Sequence, residues 1–327
     1  MALEEQWRAT VQSDACNIHA FGDPTVADLD GDGNNQVFVA TTEEVVHTYD
    51  LETGQEQFSR DLAGWGYAAP IITDFTPSEG RELIVADLSG GVFVFDSTGS
   101  PLWSRNFSST VAPIFVEDFD ADGADELAVG EGRNVTVVER DGTTATQTAV
   151  GGSVTWMTTG EADDDDAIEI VAATINGRVV AVDGQTGEIE WEQEFNNLAA
   201  VYAFRDGDGD GQAEVYAVAQ DGKLRALDAS DGTVEWTTTL TTEDIQMTPP
   251  PALGDLDGDG ELELVAVSQD GAVSVVNPNS GEIIDLYERD VSIWMRPTLA
   301  DLDDDGALEI LVTYGDGRVV ALSFESE

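Results

Sequence analysis

The chain is 327 residues long, with 66 acids against 13 basic residues and a net charge of −53. Apolar residues make up 41% and aromatics 8%, which excludes a disordered polyanion. The charge argues against nucleic acid or an anionic lipid surface as a partner, and no apolar run reaches the roughly 20 residues that cross a bilayer, so no membrane insertion of this segment is expected.

From the start, Met1–Trp7 lacks a basic segment followed by an apolar one, so no secretory leader is expected. Cys16 stands alone and can form no intrachain disulfide; His19 beside it has no third group to orient it as a catalytic pair. A repeat then begins. DLDGDGNNQVFVA starts at Asp28, DFTPSEGRELIVA at Asp74, DFDADGADELAVG at Asp118, EADDDDAIEIVAA at Glu161, DGDGDGQAEVYAV at Asp206, DLDGDGELELVAV at Asp255 and DLDDDGALEILVT at Asp301. The starts lie 46, 44, 43, 45, 49 and 46 residues apart, so seven units fill residues 1–327 as a single domain.

Within a unit the offsets hold. An acidic loop is followed by a short β-rich run. A turn pair comes fifteen residues after the start: Ser89-Gly90, Asn176-Gly177, Asp221-Gly222, Asp270-Gly271, Asp316-Gly317. Such pairs predict two-residue type I′ hairpins. A second strand, a glycine (Gly54, Gly187, Gly232, Gly281) and an outer aromatic (Phe58, Trp191, Trp236) complete the unit. Each unit therefore predicts four antiparallel strands, A to D, and an all-β, seven-bladed β-propeller. The last unit stops after strand C, while Leu3–Thr10 resembles a strand D, so the N-terminal strand is expected to complete the last blade and close the ring.

The loops carry the chemistry. Acids at positions 1, 3 and 5, a glycine at 6 and an acid at 9 offer an all-oxygen cage of the kind calcium takes. Five loops fit: Asp28, Asp30 and Asp32 with Gln36; Asp118, Asp120, Asp122 and Glu126; Asp206, Asp208, Asp210 and Glu214; Asp255, Asp257, Asp259 and Glu263; Asp301, Asp303, Asp305 and Glu309. Glu161, Asp163, Asp165 and Glu169 form a sixth candidate, with Asp166 where glycine belongs. Asp74, Thr76, Ser78 and Glu82 are expected to be metal-free. Calcium at about five sites, six with the fourth loop, is the cofactor expectation, with a structural role.

The acid-rich composition, with one lysine and twelve arginines, is similar to that of proteins from salt-accumulating halophilic archaea. The acidic core of the unit resembles the FG-GAP/VCBS repeats of integrin-type propellers. Its outer part, Ala181, Asp183, Gly187 and Trp191 and again Ala226, Asp228, Gly232 and Trp236, resembles the docking motif of quinoprotein-like (PQQ-repeat) propellers. That resemblance implies an outer tryptophan packed between neighbouring blades. Adjacent cysteines and an eighth blade are absent, which speaks against quinone chemistry.

The D-to-A connections vary in length and hold Trp65, Tyr67, Trp156, Trp294 and Arg296. A protein or carbohydrate ligand is expected there, on the face opposite the acidic loops. Packing between blades is the competing role of each aromatic. The functional expectation is a non-enzymatic recognition or adhesion module, extracellular or at the cell surface, where calcium is millimolar. A propeller enzyme (polysaccharide lyase-like or quinoprotein-like) and an assembly scaffold are the alternatives.

Overall fold

A computed structural model describes residues 24–324 except 67, 79, 108–110, 164, 196 and 304, without the side chains of 111–113. The expected closing strand at Leu3–Thr10, together with Trp7, Cys16 and His19, lies outside the described residues. No helix occurs among the described residues.

The strands among the described residues, in chain order, form seven sheets. They are β1–β4 (Thr25–Ala27, Gln36–Ala40, Val45–Asp50, Glu56–Asp61), β5–β8 (Ile71–Thr73, Glu82–Ala86, Gly91–Phe95, Pro101–Asn106) and β9–β12 (Val111–Glu117, Glu126–Glu131, Asn134–Val138, Thr144–Ala149). Then come β13–β16 (Val154–Gly160, Glu169–Thr174, Arg178–Val182, Ile189–Glu194), β17–β20 (Ala199–Arg205, Glu214–Ala219, Lys223–Asp228, Val234–Thr239) and β21–β24 (Ala252–Gly254, Glu263–Val267, Ala272–Val276, Ile283–Glu288). The last sheet, β25–β27 (Thr298–Ala300, Glu309–Thr313, Val319–Leu322), has three strands among the described residues. Every sheet is antiparallel with its strands in chain order. The chain divides into two compact units, with the division running through the third sheet; the first holds sheets one and two, the second sheets four to seven.

The B strands of sheets two to six, such as β18, are buried along their whole length, because both faces of their sheet are covered. Side-chain alternation assigns each residue to one neighbour. Val215 and Ala217 pack with Val171, Ala173 and Val179 of sheet four. Tyr216 and Val218 pack with Leu264, Ala266 and Val276 of sheet six. The same stacking joins sheets six and seven, and in the first unit sheets one and two. The outer D strands alternate towards solvent, as in β20.

The outer aromatics dock as the repeat resemblance implies. The indole Nε1 of Trp191 donates to the Ala229 carbonyl at 2.6 Å, and Trp236 to Pro278 at 2.6 Å. Trp103 does the same to Arg140 at 2.8 Å. Gly232 lies under Trp191 with φ +71°, where an added Cβ would stand 2.6 Å from the ring.

The B–C hairpins correct the type I′ expectation. The loop from Thr174 to Arg178 has three residues, with the Gly177 N–H donating to the Thr174 carbonyl at 3.0 Å. Only the glycine takes positive φ, +87° at Gly177 and +72° at Gly222, while Asn176 and Asp221 do not. This is a type I turn followed by a left-handed bulge residue, the other solution that suits twisted strands. Glu44, with φ 63°, fills the same place in sheet one.

Candidate metal centres

Each A–B loop is organised by its own carboxylates. In loop five, the N–H groups of Gly209 and Gly211 donate to Asp206 Oδ1 and Oδ2 at 2.7 and 3.0 Å. Asp208 Oδ1 takes the Asp210 N–H at 3.0 Å, and Asp210 Oδ1 takes the Gln212 N–H at 2.8 Å. The result draws three side chains to one point. Carboxylate oxygens of Asp206, Asp208, Asp210 and Glu214 all lie within 4.8 Å of one another, as do those of Asp28, Asp30 and Asp32, and of Asp118, Asp120 and Asp122.

The glycine at position 6 has a stated job. Its N–H must turn back to the first Asp, which requires positive φ. Gly33, Gly123, Gly211, Gly260 and Gly306 have φ between +88° and +96°, and each donates to its loop's first aspartate at 2.9–3.1 Å. Position 4 repeats the trick with Gly31, Gly209 and Gly258, a feature the sequence reading passed over.

The residue at position 9 has a second role that the sequence did not reveal. It begins strand B and is buried in loops one to six: Gln36 2%, Glu82 0%, Glu126 1%, Glu169 0%, Glu214 2%, Glu263 8%. One of its oxygens accepts the N–H of loop position 2: Gln36 from Leu29, Glu214 from Gly207, Glu263 from Leu256 and Glu309 from Leu302, at 2.8–2.9 Å. Gln36 therefore does as neutral amide what its siblings do as carboxylates.

Burial pushes the Glu214 carboxyl up to about 7, with Asp208 adding to it. Glu169 goes to about 8, first through burial and then through Glu190, Glu161 and Asp163. Glu263 is raised by burial and by Asp257, Asp259 and Asp255. Asp303 is raised by its neighbour Asp305. These are crowded anions, all oxygen donors, and the set fits a hard dication of the calcium class. Loop two differs: Thr76 and Ser78 hydroxyls donate to Glu82 Oε1 at 2.7 and 2.5 Å, and the Phe75 and Thr76 N–H groups to Oε2 at 2.8 and 3.0 Å.

The acidic loops neighbour C–D turns, as where Asn279 donates to Asp208 at 3.3 Å. The D-to-A connections neighbour the hairpins: Gln220 donates to the Ile245 carbonyl at 2.9 Å, and the Gln246 N–H to Gln269 at 2.6 Å. There, a cavity of about 790 Å³ is lined by Glu243, Ile245, Asp270, Arg289, Val291 and Trp294. Among the weaker ligand candidates, Trp294 is 41% and Trp65 51% exposed. Arg296 lies 4.2 Å over the Tyr202 ring. Trp156 instead packs partly buried against the cores on either side of sheet five. Tyr67 lies outside the described residues.

Among solved structures, BamB from Moraxella catarrhalis superposes with a TM-score of 0.64 at 17% identity, over 94% of this chain and 84% of that one. Sqt1 from Saccharomyces cerevisiae gives 0.70 at 12%, over 94% and 83%. BBS1N, in a complex with ARL6DN, gives 0.63 at 13%, over 95% and 94%. At these identities the likeness is one of fold, that of the β-propellers. No curated protein matches the chain. The PQQ_2 family model, that of outer membrane protein assembly factor BamB, matches residues 4–153 and again 134–326, an overlap that an internal repeat permits. With its tryptophan-docked four-stranded repeats, the chain belongs to this PQQ_2 (BamB) family.

Proposed function

We propose that this chain is a closed, seven-bladed propeller whose A–B corners are clamped by calcium and whose opposite face holds a protein partner, without catalysis. The carrying observation is the fivefold recurrence of the position-6 turn-back onto the first aspartate, which gathers three aspartates in loops one and three and the three aspartates with the buried Glu214 in loop five. Empty, such loops are self-repelling; a dication removes that penalty. In this reading the loops are of FG-GAP/VCBS type on a PQQ-repeat frame.

An assembly role is favoured by the family's name and by BBS1N, a similar fold in a complex with another protein. The groove under Trp294, with Arg289 and the exposed Met295 and Trp294 beside it, offers the aromatic and arginine anchors that protein interfaces favour. Loop sites of on the order of 0.1–1 mM affinity suit the outside of the cell or its surface. The acid surplus with one lysine fits a salt-rich, halophilic setting.

The test is metal content. After dialysis against calcium in moderate salt, elemental analysis is expected to find at least five calcium ions per chain. A chain that retains none, while folded, overturns the calcium reading. For the partner face, Trp294→Ala with Arg296→Ala is expected to abolish a co-purifying complex and leave the melting temperature unchanged.

A further inference from the structure

Loop four breaks the pattern of its siblings. Glu161 replaces the first aspartate and Asp166 the position-6 glycine, and Asp166 does not enter the left-handed region. The turn-back bond that closes the other five loops depends on that conformation. The acids of loop four accordingly sort into two groups. Oxygens of Glu161, Asp163 and Asp165 lie within 4.8 Å of one another, and so do those of Asp165, Glu169 and Asp183.

Asp183 belongs to the C–D turn, not to the loop. The pair Ile170↔Val182 sets the register of β14 and β15, and one step further places Glu169 opposite Asp183. Like charges facing each other across a strand pair are destabilising. Both are buried, Glu169 fully and Asp183 to 7% exposure. Asp183 Oδ1 takes the Thr186 N–H at 2.5 Å and the Thr186 hydroxyl, so Oδ2 is its remaining acceptor. Glu169 Oε2 takes the Ala162 N–H at 2.5 Å, but Oε1 is buried with no hydrogen-bond partner. In loop five the equivalent Glu214 groups with its own three aspartates and takes the Tyr216 hydroxyl as well.

An orphaned carboxylate oxygen is costly unless something positive meets it. Asp165 and Asp183 group with Glu169, and Glu190 adds a further charge on it; none of the three is a donor when ionised. We propose that sheet four holds two divalent cations of the calcium class. One sits among Glu161, Asp163 and Asp165; the second sits deeper, among Asp165, Glu169 and Asp183, with Asp165 shared by both. With Glu190 the cluster carries six carboxylates, so two dications leave the same surplus of two negative charges as one dication in a four-acid sibling loop. The hard, all-oxygen donor set selects calcium over thiophilic metals.

The inference rests on the calcium reading for the identity of the ion, and the count separates the two. Native mass spectrometry with elemental analysis would be run on the full chain in calcium. Variants are Asp163→Asn, Asp183→Asn and the double substitution. Asparagine keeps the Oδ1 acceptor for Thr186, and circular dichroism in chelator checks that each variant folds. Each single change is expected to lose one ion and the double two, with the sibling loops still filled. An unchanged count in Asp183→Asn, or a double variant that loses only one, overturns the second position while leaving the sibling loops standing. A wild-type chain with no calcium overturns both readings. Should Asp183→Asn fail to fold, Glu169→Gln, which keeps the Ala162 cap, gives the same count.

Discussion

Loops two and five occupy the same corner of their sheets and are held together by opposite means. In loop two, four donors converge on the buried Glu82: two N–H groups and two hydroxyls, from Phe75, Thr76 and Ser78. In loop five, Asp208 and Asp210 stand where the hydroxyls were, so Glu214 keeps the Gly207 N–H and the Tyr216 hydroxyl but meets anions in place of the two loop hydroxyls. The position-9 acid caps the backbone in both. The difference teaches that the cap belongs to the fold, shared by both loops, while the surplus negative charge belongs to positions 3 and 5.

The largest way to break this comparison is chelation. Removing calcium is expected to lower the melting temperature by more than about 10 °C, since each site at 100 times its dissociation constant adds about 2.7 kcal/mol. Calorimetry with and without chelator measures it, and an unchanged transition with emptied sites removes the stabilising role. Next is the cap. Glu82→Ala strands four buried or half-buried donors and is expected to cost about 3 kcal/mol equally with calcium and with chelator. Glu214→Ala is expected to cost clearly more in calcium than in chelator. Denaturant titrations of both variants in both buffers give the four numbers.

Much of this was legible in the sequence. A period of about 46 residues, the apolar runs that follow position 9 in the B strands and the Ala-Asp-Gly-Trp spacing all follow from local composition, and the sheets and Trp191 docking match them. What stayed hidden needs pairing between strands. Position-9 acids and the aspartates of the C–D turn lie fourteen residues apart in sequence, and they face each other because the hairpin centre falls midway, as in Glu214↔Asp228. Counting seven residues either way from Asp221, the hairpin centre, reaches the pair, and the same count from Asn176 reaches Glu169 and Asp183. The hairpin type was misread because Asp-Gly serves both a two-residue turn and a three-residue loop, and the flanking strand ends decide between them.

A smaller effect sharpens the contrast by titration. In chelator, Glu169 and Glu214 sit at about 8 and about 7, above their unfolded value of 4.5. The folded chain then binds more protons than the unfolded chain between roughly pH 4.5 and 8, so its stability falls as pH rises through that window. With calcium in excess the slope reverses, because the ion needs the carboxylates deprotonated. Melting at pH 5.5 and pH 8 is expected to rank the chelated protein higher at 5.5 and the calcium form higher at 8. Glu214→Gln should flatten the chelated slope; a flat wild-type profile would remove burial as the source of the shift.

The smallest net effect comes from turning loop two into loop five. Thr76→Asp, Ser78→Asp and Glu79→Gly together supply the acids at positions 3 and 5 and the glycine that the five sibling loops carry at position 6. Two hydroxyl donors to Glu82 are lost and two anions arrive beside it, so in chelator the triple variant should be about 2–4 kcal/mol less stable than wild type. Calcium at 100 times the dissociation constant returns about 2.7 kcal/mol, leaving the net change near zero. The metal count should rise by one. A variant that loses stability in chelator and gains no ion in calcium would mean that surplus charge at this corner is insufficient. The site would then owe its cation to the position-4 turn seen at Gly31, Gly209 and Gly258, where loop two has Pro77.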